Sequence, residues 1–106
     1  MATLLQVDFP FDGPWGAEMA QALDGLARDI AAEPGLIWKV WTESPGSGQA
    51  GGIYLFQTPE QAEAYRIRHT ARLADFGITG LRAISFAVND GLSAITRGPT
   101  PVAPHG

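Results

Sequence analysis

The part of the chain that decides its fold is residues 51–61, which read GGIYLFQTPEQ. The first half of this stretch is an apolar and aromatic run that is typical of a β-strand. In the second half, Thr58 suits the N-cap of a helix, Pro59 suits its first position, and Gln61 stands where a capping box needs a glutamine. The stretch therefore predicts a strand followed directly by a helix, which we expect to continue to about Phe76.

The sequence on either side continues this alternation of strand and helix. Leu5, Val7 and Phe9 recur at the period of a strand. An apolar stripe at helical spacing follows, formed by Met19, Leu23, Leu26 and Ile30. The predicted strands cover residues 3–9, 36–43, 52–57 and 79–88, and the predicted helices cover residues 16–33 and 58–76. The order β-α-β-β-α-β predicts a ferredoxin-like α+β fold, an antiparallel four-stranded sheet with two helices on one face.

Both faces of this sheet are predicted to be apolar. On the second strand, strict alternation places Leu36, Trp38 and Val40 on one side and Ile37 and Trp41 on the other. The third and fourth predicted strands show the same pattern. Because the helices can cover only one face, we expect a second copy of the chain to cover the other in a homodimer.

Length, composition and charge predict one acidic globular domain. The chain has 106 residues, a net charge of −4 and a hydrophobic fraction of 45%. We predict that the domain covers residues 1–96 and that residues 97–106, rich in proline and glycine, form a flexible tail. The acidic balance argues against nucleic-acid binding, for which a basic face is typical.

Several kinds of site are excluded by residue usage. The chain has no cysteine, which excludes disulfides and zinc–thiolate sites. Its two histidines are His69 and His105, and the second falls in the predicted tail, which argues against a multi-histidine metal site. No apolar stretch approaches the roughly 20 residues of a membrane span, and the first residues have no signal-peptide pattern. We therefore expect a cytoplasmic protein that binds no metal and no membrane.

Residues 35–43, which read GLIWKVWTE, contain the densest group of candidate side chains. Trp38 and Trp41 are three residues apart, so on a strand they point to opposite faces. One of them can then line a pocket on the helix side while the other meets a partner sheet. Lys39 and Glu43 share the side of Trp41. The alternative is that both tryptophans are core or dimer anchors.

Two glycines, Gly51 and Gly52, stand where the third strand should begin. They indicate a bulge or a close backbone approach, and opposite a tryptophan-bearing strand they could also leave room for a ligand. Tyr54 would then offer a phenol to the pocket, as a hydrogen-bond donor or a proton relay. The alternative is a tyrosine that belongs to the core.

His69 is the single histidine outside the predicted tail. Its ordinary pKa near 6.5 suits proton transfer at neutral pH, although a lone helical histidine can also be structural. The residues of its helical stripe are Tyr65, His69, Arg72 and Phe76, and this stripe is distinct from one formed by Ala64, Ile67, Ala71 and Ala74.

Asp8 is a carboxylate within the first predicted strand. It shares a face with Leu4 and Gln6, so it can point towards a core or cleft, where burial would raise its pKa. Near the strand end it would instead be a solvated residue beside a turn.

Four blocks of the sequence resemble the YdhR-type family of monooxygenases. They are residues 1–6 (MATLLQ), 33–44 (EPGLIWKVWTES), 51–56 (GGIYLF) and 69–73 (HTARL). Order, spacing and identity agree across the four blocks. The similarity covers about residues 1–95, and the proline-rich tail departs from it.

The resemblance implies a dimeric α/β barrel, in which two sheets face each other across the dimer. Relatives with this fold include small oxygenases that use neither metal nor flavin, in which a base helps to form a substrate anion that reduces dioxygen directly. The same fold also hosts degradation, isomerase and stress-protein roles, so it does not determine activity. The positions that match the family are Trp38, Lys39, Trp41, Glu43, Gly51, Gly52, Tyr54, His69 and Arg72, and Asp8 stands where relatives often have a histidine.

We therefore predict a cofactor-independent monooxygenase that oxidises a small aromatic or quinol-like substrate with dioxygen. His69 would be the base or proton relay, Tyr54 would donate a hydrogen bond to the substrate oxygen, and Asp8 would replace the family's histidine. The pocket would lie between the sheet and the two helices, walled by Trp38, Tyr54 and Phe9. The predicted substrate-binding residues are Phe9, Trp38, Trp41, Glu43, Gly52 and Arg72. The alternative is a non-catalytic protein that carries a hydrophobic small molecule in the same cleft.

Overall fold

The computed structural model describes residues 2–101, and His105 with the end of the predicted tail lies outside this range. The strands are β1 (Thr3–Pro10), β2 (Leu36–Ser44), β3 (Gln49–Phe56) and β4 (Arg82–Ala87). The helices are α1 (Gly16–Ala22), α2 (Asp24–Ala31), α3 (Pro59–Asp75) and α4 (Asp90–Ile95). A short 3₁₀ turn, Pro45–Ser47, joins β2 to β3. Within residues 2–101, no helix is long and apolar enough to cross a membrane.

The four strands form one antiparallel sheet in the order β2-β3-β1-β4. β1 and β3 occupy the centre, and β2 and β4 form the edges. This order, with helices after the first and third strands, confirms the predicted ferredoxin-like α+β fold.

Three predicted elements differ from the structure, and one of them is the fourth strand, which covers Arg82–Ala87 rather than residues 79–88. The first helix divides into α1 and α2 at Leu23, whose φ of −104° and ψ of 12° depart from helical values. Gly25, which has a low helix propensity, lies two residues further on. The strand β3 begins at Gln49 rather than at Gly52, because residues 49–51 pair with residues 8–10 of β1.

The N-cap of α3 is confirmed, but only one arm of the predicted capping box forms. The backbone N–H of Gln61 donates to Thr58 Oγ1 at 3.1 Å. The side-chain oxygen of Gln61 has no hydrogen-bond partner among the described residues. This side chain lies against Gly35, where a Cβ would overlap it.

A bulge in β2 corrects the predicted faces of that strand. The register shifts between Leu36 and Trp38, so Leu36 pairs with Phe56 while Trp38 pairs with Leu55. Strict alternation had placed Leu36 and Trp38 on one side, and the bulge places them on opposite sides. Trp38 therefore lies on the face away from α1, α2 and α3.

The core lies between the sheet and the helices. Its fully buried members come from β1, β3, α2 and α3: Leu5, Val7, Ile30, Tyr54, Phe56, Ala62 and Tyr65. The helix α3 buries Ala62, Tyr65, His69 and Leu73. Its stripe of Tyr65 and His69 therefore faces the sheet, whereas Ile67 is 57% exposed.

The opposite face of the sheet, which we call the outer face, is also apolar. Val40 on β2 and Ile84 and Phe86 on β4 are 55%, 38% and 46% exposed. Their partners across the sheet, Ile53 among them, continue the same surface. The prediction that both faces are apolar is confirmed. The predicted partner copy remains a prediction.

Residues 98–100 of the predicted tail make specific contacts. The backbone N–H of Gly98 donates to the Ser93 carbonyl at 2.7 Å. The indole Nε1 of Trp38 donates to the Pro99 carbonyl at 2.7 Å. The division of the chain into a domain and a flexible tail stays a prediction.

Candidate functional site

A cavity of about 400 Å³ lies between the sheet and the helices, and we call it the central cavity. Its size falls within the range of small-molecule sites. Most of its lining is apolar, and the polar exceptions are Lys39 and His69. The apolar residues that line it include Phe9, Phe11, Leu26, Trp41, Leu73 and Phe76.

The cavity contains the only lysine of the chain, Lys39. Its Nζ lies 3.2 Å from the centroid of the Trp41 ring and 4.6 Å from that of Tyr54. Among residues 2–101 no carboxylate lies within ion-pair distance of this nitrogen. Burial, with a smaller effect from the Arg72 charge, lowers the pKa of Lys39 from 10.5 to about 7. The amine is therefore close to half-protonated at neutral pH.

Gly51 and Gly52 of β3 each permit a close contact that a larger residue would block. A Cβ at Gly51 would overlap the Val7 carbonyl oxygen on β1, so this glycine permits close approach of the two central strands. A Cβ at Gly52 would overlap Cε of Lys39. Gly52 therefore provides the space in which the lysine side chain lies, and the predicted close approach is confirmed at Gly51.

His69 lines the cavity from α3 and is 3% exposed. Its Nδ1 lies 3.0 Å from Nη2 of Arg72. A guanidinium only donates, so Nδ1 must accept and the neutral ring carries its proton on Nε2. Burial, followed by the charges of Lys39 and Arg72, lowers the pKa of His69 from 6.5 to about 3. At neutral pH the ring is a hydrogen-bond donor through Nε2 and a weak base.

Tyr54 and Tyr65 form a hydrogen-bonded pair in the core. The Tyr65 hydroxyl donates to the Tyr54 hydroxyl at 2.9 Å, and their rings lie 4.8 Å apart. Burial raises the pKa of Tyr65 to about 12 and that of Tyr54 further. Tyr54 is 1% exposed and is not part of the cavity lining, so the structure holds this predicted donor behind the wall rather than in it.

Arg72 and Glu33 stand behind His69. Glu33 forms an ion pair with Arg68, and its other oxygen lies 4.0 Å from Arg72. The Nε of Arg72 is buried and has no hydrogen-bond partner among the described residues. Arg72 therefore orients His69, and it does not line the cavity itself.

Three of the predicted site residues lie away from the central cavity. Trp38 is on the outer face because of the β2 bulge, so it does not wall the pocket as predicted. Asp8 pairs with Arg82 at 3.1 Å and also lies on the outer face. Glu43 accepts from the backbone N–H of Gly16 at 2.9 Å and borders a smaller cavity of about 280 Å³ beyond Trp41.

Phe9, Trp41 and His69 are therefore brought together, with Gly52 beneath Lys39. Lys39 itself was absent from the predicted site residues although it matched a family position. Two signals in the sequence point to it: it is the only lysine, and it shares the strand face of Trp41.

The arrangement can bind a flat apolar molecule and offer it two nitrogen groups. Lys39 can exchange a proton near neutral pH, and His69 can donate through Nε2. Within residues 2–101, no group of three histidine, cysteine or acidic side chains is placed to hold a metal ion.

One comparison with known proteins agrees with the resemblance seen in the sequence, and another finds no match. No curated protein matches the chain. A family model does match, and it is the one described as "Putative mono-oxygenase ydhR", over residues 4–99. The match extends past the last residue of α4 and includes both strands that bear the tryptophan, lysine and tyrosine side chains. The chain belongs to the ydhR mono-oxygenase family.

Proposed function

We propose that the protein is a monooxygenase that oxidises a small aromatic or quinol-like substrate with dioxygen and needs neither metal nor flavin. The central cavity is the observation that carries this proposal. It combines an apolar, aromatic lining with the two groups Lys39 and His69, in a chain of a mono-oxygenase family. A substrate ring would pack among Phe9, Trp41 and the apolar residues of α3.

The proposed reaction balances without an external reductant. An activated CH₂ group between aromatic rings loses two hydrogen atoms and gains one oxygen atom as a carbonyl. The second oxygen atom of dioxygen leaves as water, so all electrons come from the substrate. The protein must remove a proton to make the electron-rich anion, hold that anion beside dioxygen and return protons to the oxygen that leaves.

His69 would act in this reaction as a proton donor. Its Nδ1 is occupied by Arg72, so Nε2–H is the group it can present to a substrate or peroxide oxygen. This role modifies the base predicted from the sequence, because a ring with a pKa near 3 accepts protons poorly at neutral pH.

Oxygen uptake with a panel of anthrones and dihydroxynaphthalenes tests the proposal. We expect uptake by flavin-free protein that has been treated with a chelator. His69→Ala should reduce the rate by about 100-fold, the usual contribution of a proton-transfer group. Thr70→Ala, on the exposed side of the same helix, is the matched control and should keep the full rate.

Uptake equal to the protein-free rate with every compound would overturn the proposed activity. Loss of uptake after chelation would overturn the metal independence alone.

A non-catalytic carrier of a hydrophobic small molecule is the second candidate. The observation in its favour is that the predicted donor Tyr54 is enclosed in the core, which leaves few reactive groups in a mostly apolar cavity. Native mass spectrometry of the purified protein would then find a bound aromatic compound. Binding without turnover of that compound would favour the carrier.

We further propose that two copies associate through the outer face. The support is the exposed apolar surface of Val40, Ile84 and Phe86, which one chain leaves in contact with water. Burial of this surface against its own symmetry mate would remove it from water in a closed dimer.

A further inference from the structure

We propose that Lys39 takes the proton from an acidic hydroxyl of the substrate and holds the resulting phenolate or enolate. The substrate class is thereby an aromatic compound with an ionisable hydroxyl group. This inference rests on the proposed function for the identity of the site, and its test does not depend on turnover.

The position of Lys39 Nζ is the geometric basis. Its aromatic contacts, Trp41 and Tyr54, cover it without offering an oxygen or nitrogen acceptor. Among the described residues no hydrogen bond from this amine is present, so its N–H groups are available to a ligand in the cavity that Lys39 lines. An aromatic anion placed there would satisfy both the amine and the apolar walls.

The charges around the amine also favour an anion. Arg72 and His69 on α3 face it with positive or neutral groups, and the Tyr54–Tyr65 pair stays protonated. Glu33, whose charge acts on Tyr54 and Tyr65, is already shared between Arg68 and Arg72. A buried ammonium without a counterion is unfavourable, so a bound anion supplies the missing charge.

The proton step is a simple transfer. The neutral amine of Lys39 forms an N–H bond as the substrate O–H bond breaks, and the electron pair remains on the substrate oxygen. The product is an ammonium–phenolate pair inside an apolar cavity, where their attraction is stronger than in water. A pKa near 7 makes the free amine available for this step at neutral pH.

Titration with 4-nitrophenol under nitrogen tests the inference, because its phenolate absorbs visible light and its phenol does not. At pH 6 we expect the wild-type protein to bind the probe and to show the phenolate band. Lys39→Met should bind at least tenfold more weakly and show no band. The ether 4-nitroanisole, which cannot ionise, should bind both proteins equally. Arg28→Met, which removes an exposed charge on α2, is the matched control and should behave as wild type.

Calorimetry at pH 8 in two buffers of different ionisation enthalpy separates charge from proton transfer. Lys39 is mostly neutral at this pH, so binding of 4-nitrophenolate should take up close to one proton per site. Lys39→Arg keeps the charge but is always protonated, so it should bind the anion with no proton uptake.

The inference is overturned if Lys39→Met retains the phenolate band or the affinity, or if the wild type takes up no proton. The proposed function can fail separately. If phenolate binding depends on Lys39 but no compound gives oxygen uptake, the monooxygenase activity is overturned and the anion site stands. Oxygen uptake by a wild-type protein whose phenolate band is unchanged in Lys39→Met overturns the anion site and leaves the proposed monooxygenase standing.

Discussion

At the scale of single residues, the contact between Gly52 and Lys39 controls the chemistry of the central cavity. The amine lies over Trp41 because the strand opposite has no Cβ at position 52. The same burial that places it there weakens its hold on a proton. A backbone feature of β3 therefore contributes to the burial that lowers the pKa of a side chain on β2.

The pKa of Lys39 predicts a pH-dependent stability. Between pH 7 and pH 10.5 the unfolded chain holds more protons at this site than the folded chain does, so the free energy of unfolding rises with pH there. The contribution of this one group reaches at most about 1.4 kcal/mol per pH unit. Urea unfolding of wild type and Lys39→Met at pH 7 and pH 9 measures it.

The variant lacks this group. The free energy of unfolding of wild type, relative to that of Lys39→Met, should therefore increase as pH rises from 7 to 9. All other titrating groups are common to both proteins and cancel in the difference. A difference that stays constant over this interval would show that the amine has an ordinary pKa.

Gly52→Ala should displace the lysine without removing it. The new Cβ would overlap Cε of Lys39 and crowd the Val40 carbonyl, so the amine should move towards water and its pKa should rise towards 10.5. Because the chain has one lysine, a protein labelled with [¹³Cε]lysine gives one signal whose titration reports this pKa directly.

Gly91→Ala is the matched control, since a Cβ there meets only one side-chain oxygen at 3.8 Å. Its lysine signal should titrate as in wild type. An unchanged titration in Gly52→Ala would contradict the role given to Gly52.

At the scale of elements, α3 brings His69 to the cavity, and the N-terminal cap of α3 fixes where this helix begins. The Thr58 cap and the proline that follows could be predicted from the sequence, because capping depends on neighbouring residues. The buried face of α3 was harder to predict from the sequence. Tyr65 and His69 face the sheet, while Ile67 lies in water, because tertiary packing rather than hydrophobicity alone selects the face.

Thr58→Ala should lower the free energy of unfolding by about 1 kcal/mol, since the first turn of α3 loses the acceptor for the Gln61 N–H. Thr70→Ala is the matched control: its hydroxyl bonds the Arg66 carbonyl within the same helix, and alanine has the higher helix propensity. Denaturant unfolding of both variants measures the difference. Equal stability of the two variants would count against the cap.

The β2 bulge could not be predicted from the sequence. Regular alternation over residues 36–43 predicts one set of faces, and a single register shift after Leu36 reverses the relation between Leu36 and Trp38. The position of such a shift depends on pairing with β3, which local sequence does not specify.

At the scale of the whole molecule, α1, α2 and α3 cover one side of the sheet, and residues 98–100 cover only part of the outer face. Phe86 is 46% exposed on the edge strand β4, two residues from Ile84 on the same face. Phe86→Asp should place a charge in the proposed dimer interface and shift the protein to a monomer in sedimentation experiments.

Ile67→Asp changes an exposed residue of α3 in the same way and should leave the oligomeric state unchanged. A wild-type protein that sediments as a monomer at micromolar concentration would contradict the proposed dimer.

The sequence by itself determined the order of elements, the cap of α3 and the apolar character of both sheet faces, because each depends on short-range periodicity and local hydrogen bonding. Only the tertiary structure decided that Trp38 and Asp8 lie on the outer face while Lys39 joins His69 in the central cavity. Strand register and the space above Gly52 arise from contacts between segments distant in the chain. Burial then changes the pKa of both cavity groups, which no local pattern reveals.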